Sequence, residues 1–354
     1  MKIRGIRITA VLAAAAAWAA ISCEGPIDSR PAYKGPWKAY EVPGLPEGTR
    51  INDIYMFSPT DGWAVANGSR FLRFDGLEWK VHTDLSRESY CKYVVDLDFS
   101  APNDGWAVGY WYHQVGGDPV KEGFVFHYDG SEWKDVTPVV TWPISGIGPL
   151  HCVSVVAPDD VWVGGLFGLY HYDGETWLPD ISFRGDAEAL HFISANEGWA
   201  LTAGSINRWT EHDWTPYYTE DPYTRFSDFY FTTPTTAWVV GDGGPTASTS
   251  PPEEPIPRRP CHPIWFWDAT QNSWEPYKDF HGKDDSLVFN RVHFAGPDDG
   301  WAVGRTTLRY DGAAWKWVPK PPFEADAVFT LGGDEVWISC GDGKMYKYDP
   351  GTPE

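Results

Sequence analysis

Asp299-Gly300-Trp301-Ala302-Val303-Gly304, followed by Tyr310-Asp311-Gly312-Ala313-Ala314-Trp315, decides the fold because the chain repeats it. Asp104–Gly109 with Tyr128-Asp129-Gly130-Ser131-Glu132-Trp133 is a second copy, and Asp61–Val65 with Phe74-Asp75-Gly76-Leu77-Glu78-Trp79 a third. Trp162-Val163-Gly164 with Tyr172-Asp173-Gly174-Glu175-Thr176-Trp177 is a fourth. Three copies are degraded: Gly198-Trp199-Ala200-Leu201 with Trp209 to Trp214, Trp238–Gly241 with Trp267-Asp268 and Trp274, and Val336-Trp337-Ile338-Ser339 with Tyr348-Asp349. A fixed period near 40 residues marks stacked supersecondary units.

Each unit parses into four short strands. Strand A is an apolar run such as Val292-His293-Phe294, and strand B carries the first Trp. Strand C ends in an aromatic residue and Asp, and strand D opens with the second Trp. Between C and D, Asp-Gly forms a tight turn, because Gly accepts positive φ and Asp bonds its own backbone. That chemistry accounts for the repeated aspartates without a metal. Four antiparallel strands per unit predict an all-β, seven-bladed β-propeller. The blades fall at about 50–83, 90–136, 150–179, 187–217, 225–277, 287–318 and 325–350.

The seventh unit stops before its strand D. Pro36-Trp37-Lys38-Ala39-Tyr40 matches Glu78-Trp79-Lys80-Val81-His82, so residues 36–42 are expected to complete the last blade and close the ring. Closure removes an exposed sheet edge. Seven B-strand and seven D-strand indoles then account for 14 of the 21 Trp residues, expected as wedges between radially splayed sheets.

The 36 Gly and 30 Pro agree with many short strands and turns. The formal charge is −21, and removing the +3 of Lys2, Arg4 and Arg7 leaves about −24. Such a surface repels phosphate backbones and anionic head groups, so no nucleic-acid partner is expected. Met1–Arg7 is basic and Ile8–Ile21 apolar, the pattern of a secretory signal. Ala20-Ile21-Ser22-Cys23 resembles the bacterial lipoprotein lipobox, with Ala20 where Leu is usual. We therefore expect a signal peptide over 1–22, a lipid on Cys23 and a tether over 23–35, ahead of a propeller over 36–354. The expected location is the bacterial cell envelope, with the outer membrane favoured by Glu24. Cleavage near Ala17-Trp18-Ala19, leaving a secreted chain with a simple thiol, is the alternative.

Four further cysteines remain: Cys91, Cys152, Cys261 and Cys340. An oxidising compartment permits disulfides, and Cys91 with Cys152, near the first strands of neighbouring repeats, is the preferred pair. Four buried thiols are the other reading.

Gly-Trp-Ala-Val-Gly followed by an aromatic, Asp-Gly and Trp resembles the repeat of the photosystem II assembly-factor family and other Asp-box propellers. The resemblance covers nearly all of residues 36–354 and rests on scaffold residues, so it implies the fold and a general scaffold role, not photosynthesis. The Asp-to-Trp interval is one residue shorter here, and Arg, His or Phe often stands where the family has Ser or Thr.

In propellers the B–C and D–A connections share one face. Here the irregular segments fall on it: Tyr110–Glu122 between B and C of blade 2, Asp242–Pro263 at the same place in blade 5, and Pro138–Pro149 between blades 2 and 3. Function concentrates in such loops on a rigid scaffold. Trp111, Tyr112 and Trp142 have no repeat counterpart and are candidates for a ligand-binding face, or for a cap that folds back on the ring. Strand A supplies Asp96, Asp98, His191, Asp228, Arg291, His293 and Asp326 as candidate channel lining. They form either a small-ligand site or a solvated wall.

The sequence carries no HExxH, Gly-x-Ser-x-Gly or phosphate-binding Gly loop, so no enzyme, metal or cofactor is expected. The expected function is a non-catalytic envelope scaffold that binds a protein partner, acting as a monomer. A carbohydrate-binding propeller is the alternative. A sialidase-like glycoside hydrolase, needing an Arg cluster of the kind Arg50, Arg225 and Arg291 could form, is the third reading.

Overall fold

The computed structural model describes residues 35–351 apart from 86–91, 116–117, 139–146, 203–204, 211, 220–225, 243–261, 271–272 and 278–286. Cys23, Cys91, Cys261, Arg225, Trp142 and most of the blade 5 insert lie outside the described residues, as do the leader and nearly all of the tether. Every element described is a strand, and the strands form seven four-stranded antiparallel sheets. The innermost strands are Ile51–Ser58, Lys92–Ala101, Leu150–Ala157, Ala189–Ser194, Phe226–Thr233, Phe289–Gly296 and Ala325–Gly332. Each packs against the next and the last against the first, which closes the ring.

Six blades run A-B-C-D in space as in sequence. The seventh takes its outer strand from the other end of the propeller: Trp37–Tyr40 pairs antiparallel with Met345–Tyr348, Trp37 opposite Tyr348. The Trp37 indole also donates to the Pro319 carbonyl at 2.7 Å.

The indoles hold neighbouring blades together in one recurring geometry. The B-strand Trp of a blade meets the D-strand Trp of the next blade edge to face. Trp63 meets Trp133 at 5.7 Å, Trp106 meets Trp177 at 5.8 Å, and Trp162 meets Trp214 at 6.0 Å. Trp238 meets Trp315 at 5.4 Å, Trp301 meets Trp37 at 5.6 Å, and Trp337 meets Trp79 at 5.6 Å. The interface between blades 4 and 5 differs, because Trp199 lies 5.1 Å from the strand C residue Trp267. All seven B-strand indoles are buried. Burying a large aromatic removes on the order of 150–250 Å² from water, so this layer dominates the cohesion between blades.

A cation or imidazole from strand C covers the B-strand Trp in six blades and pairs with an acid at the start of strand B. Arg73 lies 4.7 Å from the Trp63 ring and pairs with Asp61. His127 stacks on Trp106 at 4.3 Å and bonds Asp104, and His171 stacks on Trp162 at 4.1 Å and bonds Asp160. Arg208, Arg309 and Lys347 repeat the pairing with Glu197, Asp299 and Glu335. Blade 5 substitutes Phe266, 4.7 Å from Trp238. The C–D turns are equally regular. Asp75 Oδ1 accepts from the backbone N–H groups of Leu77 and Glu78, and Asp129, Asp173 and Asp311 do the same in their blades. These N–H bonds lower the Asp75 carboxyl to about 2.

Blade 2 differs from expectation between strands B and C. Residues 110–122 continue the two strands, Asp104–Val115 and Asp118–Tyr128, as a long hairpin rather than a loop. Tyr110 and Tyr112 alternate with Trp111 and His113, so the two pairs face opposite sides.

Candidate functional site: the central channel and its mouth

Strand A is the inner edge of each blade, and among the described residues no fifth strand pairs with it. Its inward N–H groups therefore need acceptors from elsewhere. Neighbouring blades supply them. Asp53 Oδ2 accepts from Leu97 N at 3.2 Å, Asp96 Oδ2 from Val153 N at 2.8 Å, and Asp98 Oδ2 from Val155 N at 2.7 Å. Ser154 Oγ accepts from Phe192 N at 3.1 Å, Asp228 Oδ2 from Val292 N at 2.9 Å, and His293 Nδ1 from Thr330 N at 3.3 Å. Four of the seven predicted channel residues thus staple one blade to the next. Their polarity follows from a backbone that would otherwise carry orphan donors.

The lining is arranged in levels. Six of the seven A strands carry a β-bulge near their start; only blade 4 lacks it. The bulged residues include Asn52, Val95, His151, Ser227, Asn290 and Asp326, which stand at the mouth on the B–C and D–A face. One step deeper are Asp53, Asp96, Cys152, Ala189, Asp228, Arg291 and Ala327, opposite Val65, Val108, Gly164, Leu201, Val240, Val303 and Ser339 of their B strands. Deeper again, opposite each B-strand Trp, lie Tyr55, Asp98, Ser154, His191, Tyr230, His293 and Phe329. Five of these form an unbroken aromatic arc: Tyr55 to Phe329 at 5.2 Å, Phe329 to His293 at 4.1 Å, His293 to Tyr230 at 4.8 Å, and Tyr230 to His191 at 5.2 Å.

The channel encloses a cavity of about 540 Å³ lined by Asp96, Asp98, His191, Asp228, Arg291 and His293, together with Asp53, Tyr55, Tyr230 and Phe329. A second cavity of about 290 Å³ occupies the mouth, where Asp326 lies with Arg50, Asn52, Asn290 and Arg291. All seven predicted channel residues therefore reach the channel, six in its body and Asp326 at its mouth. Sequence reading missed Asp53, although the alignment of Asp53-Ile54 with Asp96-Leu97 carried the signal. Tyr55, Tyr230 and Phe329 were hidden because aromatics on strand A look like core.

Electrostatics follow from the dry wall. Burial pushes Asp98 up to about 7 and Asp228 up to about 6, the latter partly offset by Arg291. Burial likewise raises Asp53 and Asp96, which share a hydrogen bond, and repulsion from Asp53 adds to the rise at Asp96. Burial lowers His191 to about 4 and His293 to about 3, so both rings are neutral near pH 7. At Arg291, burial opposes the charge, and Asp228, Asp96 and Asp53 outweigh it. Among the described residues no group of three His, Cys, Asp or Glu side chains is placed to hold a metal.

The mouth is braced in the same manner as the body. Asn52 Nδ2 donates to the Val94 carbonyl, Asn290 Nδ2 donates to the Ala325 carbonyl at 2.9 Å, and Arg50 pairs with Asp326. Beside it rises the blade 2 hairpin. Tyr93, Tyr110 and Tyr112 pack together with ring separations of 5.4–5.8 Å, and the Lys121 ammonium lies 5.1 Å from the Tyr110 ring and 5.0 Å from the Tyr112 ring. Tyr110 is 6.2 Å from the His151 ring at the mouth, and Tyr112 is exposed. Trp111 turns the other way: it is half-buried against the core between blades 1 and 2 and stacks on His113 at 4.2 Å. Tyr112 is thus the more exposed of the two; Trp142 lies outside the described residues.

Cys152 is a free, buried thiol between blades 3 and 4, its Sγ 3.9 Å from the Ala187 carbonyl. Cys340 is also free and buried. Of the three arginines considered for a carboxylate-binding cluster, Arg50 is paired at the mouth and Arg291 lies one level deeper, while Arg225 is outside the described residues.

No protein-family model matches the sequence, and no curated protein matches it. Solved structures do. YCF48 bound to D1 peptide superposes with a TM-score of 0.62 at 17% identity, covering 89% of this chain and 97% of the other. YCF48 from Cyanidioschyzon merolae gives 0.59 at 18% identity, covering 89% and 99%. Streptogramin B lyase gives 0.65 at 12% identity, covering 88% and 96%. At these identities the likeness is one of fold, and that fold serves a peptide-bound protein and a lyase alike.

Proposed function

We propose that this chain is a non-catalytic binding scaffold that presents the B–C and D–A face of its ring to a segment of a protein partner. One observation carries the reading. The channel carboxylates that could have formed an acid–base pair are engaged by backbone N–H groups of adjacent blades, whereas the blade 2 hairpin raises Tyr110, Tyr112 and Lys121 beside the mouth. Rigid blades carrying one elaborated face are the arrangement expected of a binding module. A fold neighbour solved with a bound peptide supports the same use of the fold. Export, a lipid on Cys23 and placement in the cell envelope belong to this proposal and rest on the N-terminal sequence.

The test is affinity purification from native envelope with the wild-type chain and with Tyr110→Ala/Tyr112→Ala. A stoichiometric protein partner that is lost with the double variant, whose melting temperature stays near wild type, is the expected result. Glycan-array hits, or turnover of a fluorogenic glycoside without any protein partner, would replace the proposal with the carbohydrate readings. Mass spectrometry of the mature N-terminus tests the lipid: Cys23 is expected to be acylated and first in the chain.

A further inference from the structure

Blade 3 departs from the polar rim of the other blades. Of the eight exposed large apolar side chains among the described residues, Leu166, Phe167, Leu178 and Ile181 belong to blade 3 or to its link to blade 4. Leu166 and Phe167 form the whole tip of the B–C turn, between the paired Gly165 and Gly168. The same turn reads Asn67-Gly68-Ser69 in blade 1, Arg305-Thr306 in blade 6 and Gly341-Asp342-Gly343 in blade 7, residues suited to an exposed turn. Leu178, directly after the strand D Trp, stands where Lys38, Lys80, Lys134 and Lys316 stand in four other blades. Phe167 is 59% exposed and Ile181 65%, so folding gains little from either.

These side chains continue the surface begun by the blade 2 hairpin. Tyr110 is paired with Gly123, whose N–H donates to the Ile147 carbonyl at 2.8 Å. The next residue, Gly148, packs so closely under the Phe167 ring that a Cβ there would lie 2.2 Å from it. The link to blade 4 then closes on the same turn: Leu169 is paired with Asp180, the neighbour of Ile181, and Ala187 N donates to the Gly165 carbonyl at 2.9 Å. Grouped exposed apolar side chains mark an interaction surface. The link that borders this one carries Asp180, Asp186 and Glu188 against Arg184, on a chain of formal charge −21. A second copy or an anionic bilayer would meet like charge there.

We propose that the surface formed by Tyr112, Leu166, Phe167 and Ile181 docks a segment of a protein partner that carries large apolar side chains beside Lys or Arg. The inference rests on the protein-partner reading of this face and adds the partner's chemistry and a second anchor on blade 3. The apolar side chains supply the affinity by covering Phe167 and Ile181, and the basic residues supply steering toward an acidic molecule.

The test pans a phage-displayed library of random dodecapeptides on the purified protein. Enriched peptides are expected to carry two or more large apolar residues and a net positive charge, and to bind more weakly as salt rises. Their synthetic forms should lose about tenfold in affinity for Phe167→Asp/Ile181→Asp, whose melting temperature stays near wild type. Leu77→Asp, an exposed substitution in a C–D turn on the opposite face, should leave the affinity unchanged. Peptides that depend on Tyr110 and Tyr112 but bind Phe167→Asp/Ile181→Asp at full strength overturn this inference and leave the protein-partner reading standing. Acidic or wholly polar peptides, or no enrichment, overturn it as well. Three further results would do the same by assigning the surface to another occupant. They are a large fall in melting temperature in the double variant, a dimer in sedimentation velocity that the variant abolishes, and capture by phosphatidylethanolamine–phosphatidylglycerol vesicles that the variant loses.

Discussion

The two walls of this ring are built on opposite rules. Between blades, one pattern recurs: an indole from strand B meets the next blade's strand D indole at 5.4–6.0 Å, six times in seven interfaces. On the channel wall, seven equivalent positions carry Asp53, Asp96, Cys152, Ala189, Asp228, Arg291 and Ala327, with one pair alike side by side. The outer layer repeats because each wedge between blades has the same shape. The inner wall is free to vary, since an orphan N–H can donate to any nearby carboxylate, hydroxyl or ring nitrogen. Variation that packing does not require is where a ligand site can arise.

The ring closure is the sharpest place to strike the repeated layer. Removing residues 36–40 is expected to unfold the propeller, and Trp37→Ala to cost about 3–5 kcal/mol in denaturant melts. Trp37 is 5% exposed, between Trp301 and Tyr348, and its hydrogen bond to Pro319 is lost as well. A truncated chain that melts like the intact one would break the account of closure. Within the ring, Trp63→Ala is expected to cost a similar about 3–5 kcal/mol, whereas Trp317→Ala, at a 59% exposed position, should change stability by less than about 0.5 kcal/mol. Equal effects at the two sites would remove the distinction between wedge and surface indoles.

The inner wall is tested through pH. Folding raises Asp98 from 3.8 to about 7, so the folded chain keeps a proton that the unfolded chain releases. The stability linked to that proton is complete below about pH 4 and is lost as pH rises through 7. His191 and His293 act in the opposite sense: held neutral, they contribute stability above pH 6.5 that is lost as pH falls toward 4 and 3. Asp98→Asn removes one descending contribution. Its stability, followed by chemical melts from pH 4 to 7, should therefore slope upward relative to wild type by about 1.4 kcal/mol per pH unit, the value of one proton. Parallel curves would mean that Asp98 is wet and ionised.

Smaller effects belong to the turns. Gly76 has φ of 90°, and a Cβ there would lie 2.9 Å from Thr60 Cβ, so Gly76→Ala should cost about 1–2 kcal/mol by thermal melt. Lys80, an exposed partner of Asp75 and Glu78, should be replaceable by Ala with no measurable change in melting temperature.

Blades 2 and 5 show where sequence reading reached its limit. Residues 110–122 read as an insert, yet they extend strands B and C, because Tyr, Trp and Val alternate around Gly116-Gly117, a hairpin signal in its own right. In blade 5, Trp267 was read as part of the repeat, but only packing made it the partner of Trp199. Trp111 and Tyr112 were equal candidates in sequence; the two-residue period of a strand sends one to the core and the other to solvent.

What the sequence determined by itself was the number of blades, their strand order, the closing strand and the indole layer. All four follow from local patterns: periodic Trp, Asp-Gly turns and a missing strand whose match stands at residues 36–40. Tertiary structure alone decided which channel side chains are engaged and which are left over. That outcome depends on bonds between residues far apart in the chain, such as Asp96 to Val153 and Arg50 to Asp326, and on bulges that set which side chains stand at the mouth. No local pattern encodes such distances, because they exist only once seven sheets have closed around an axis.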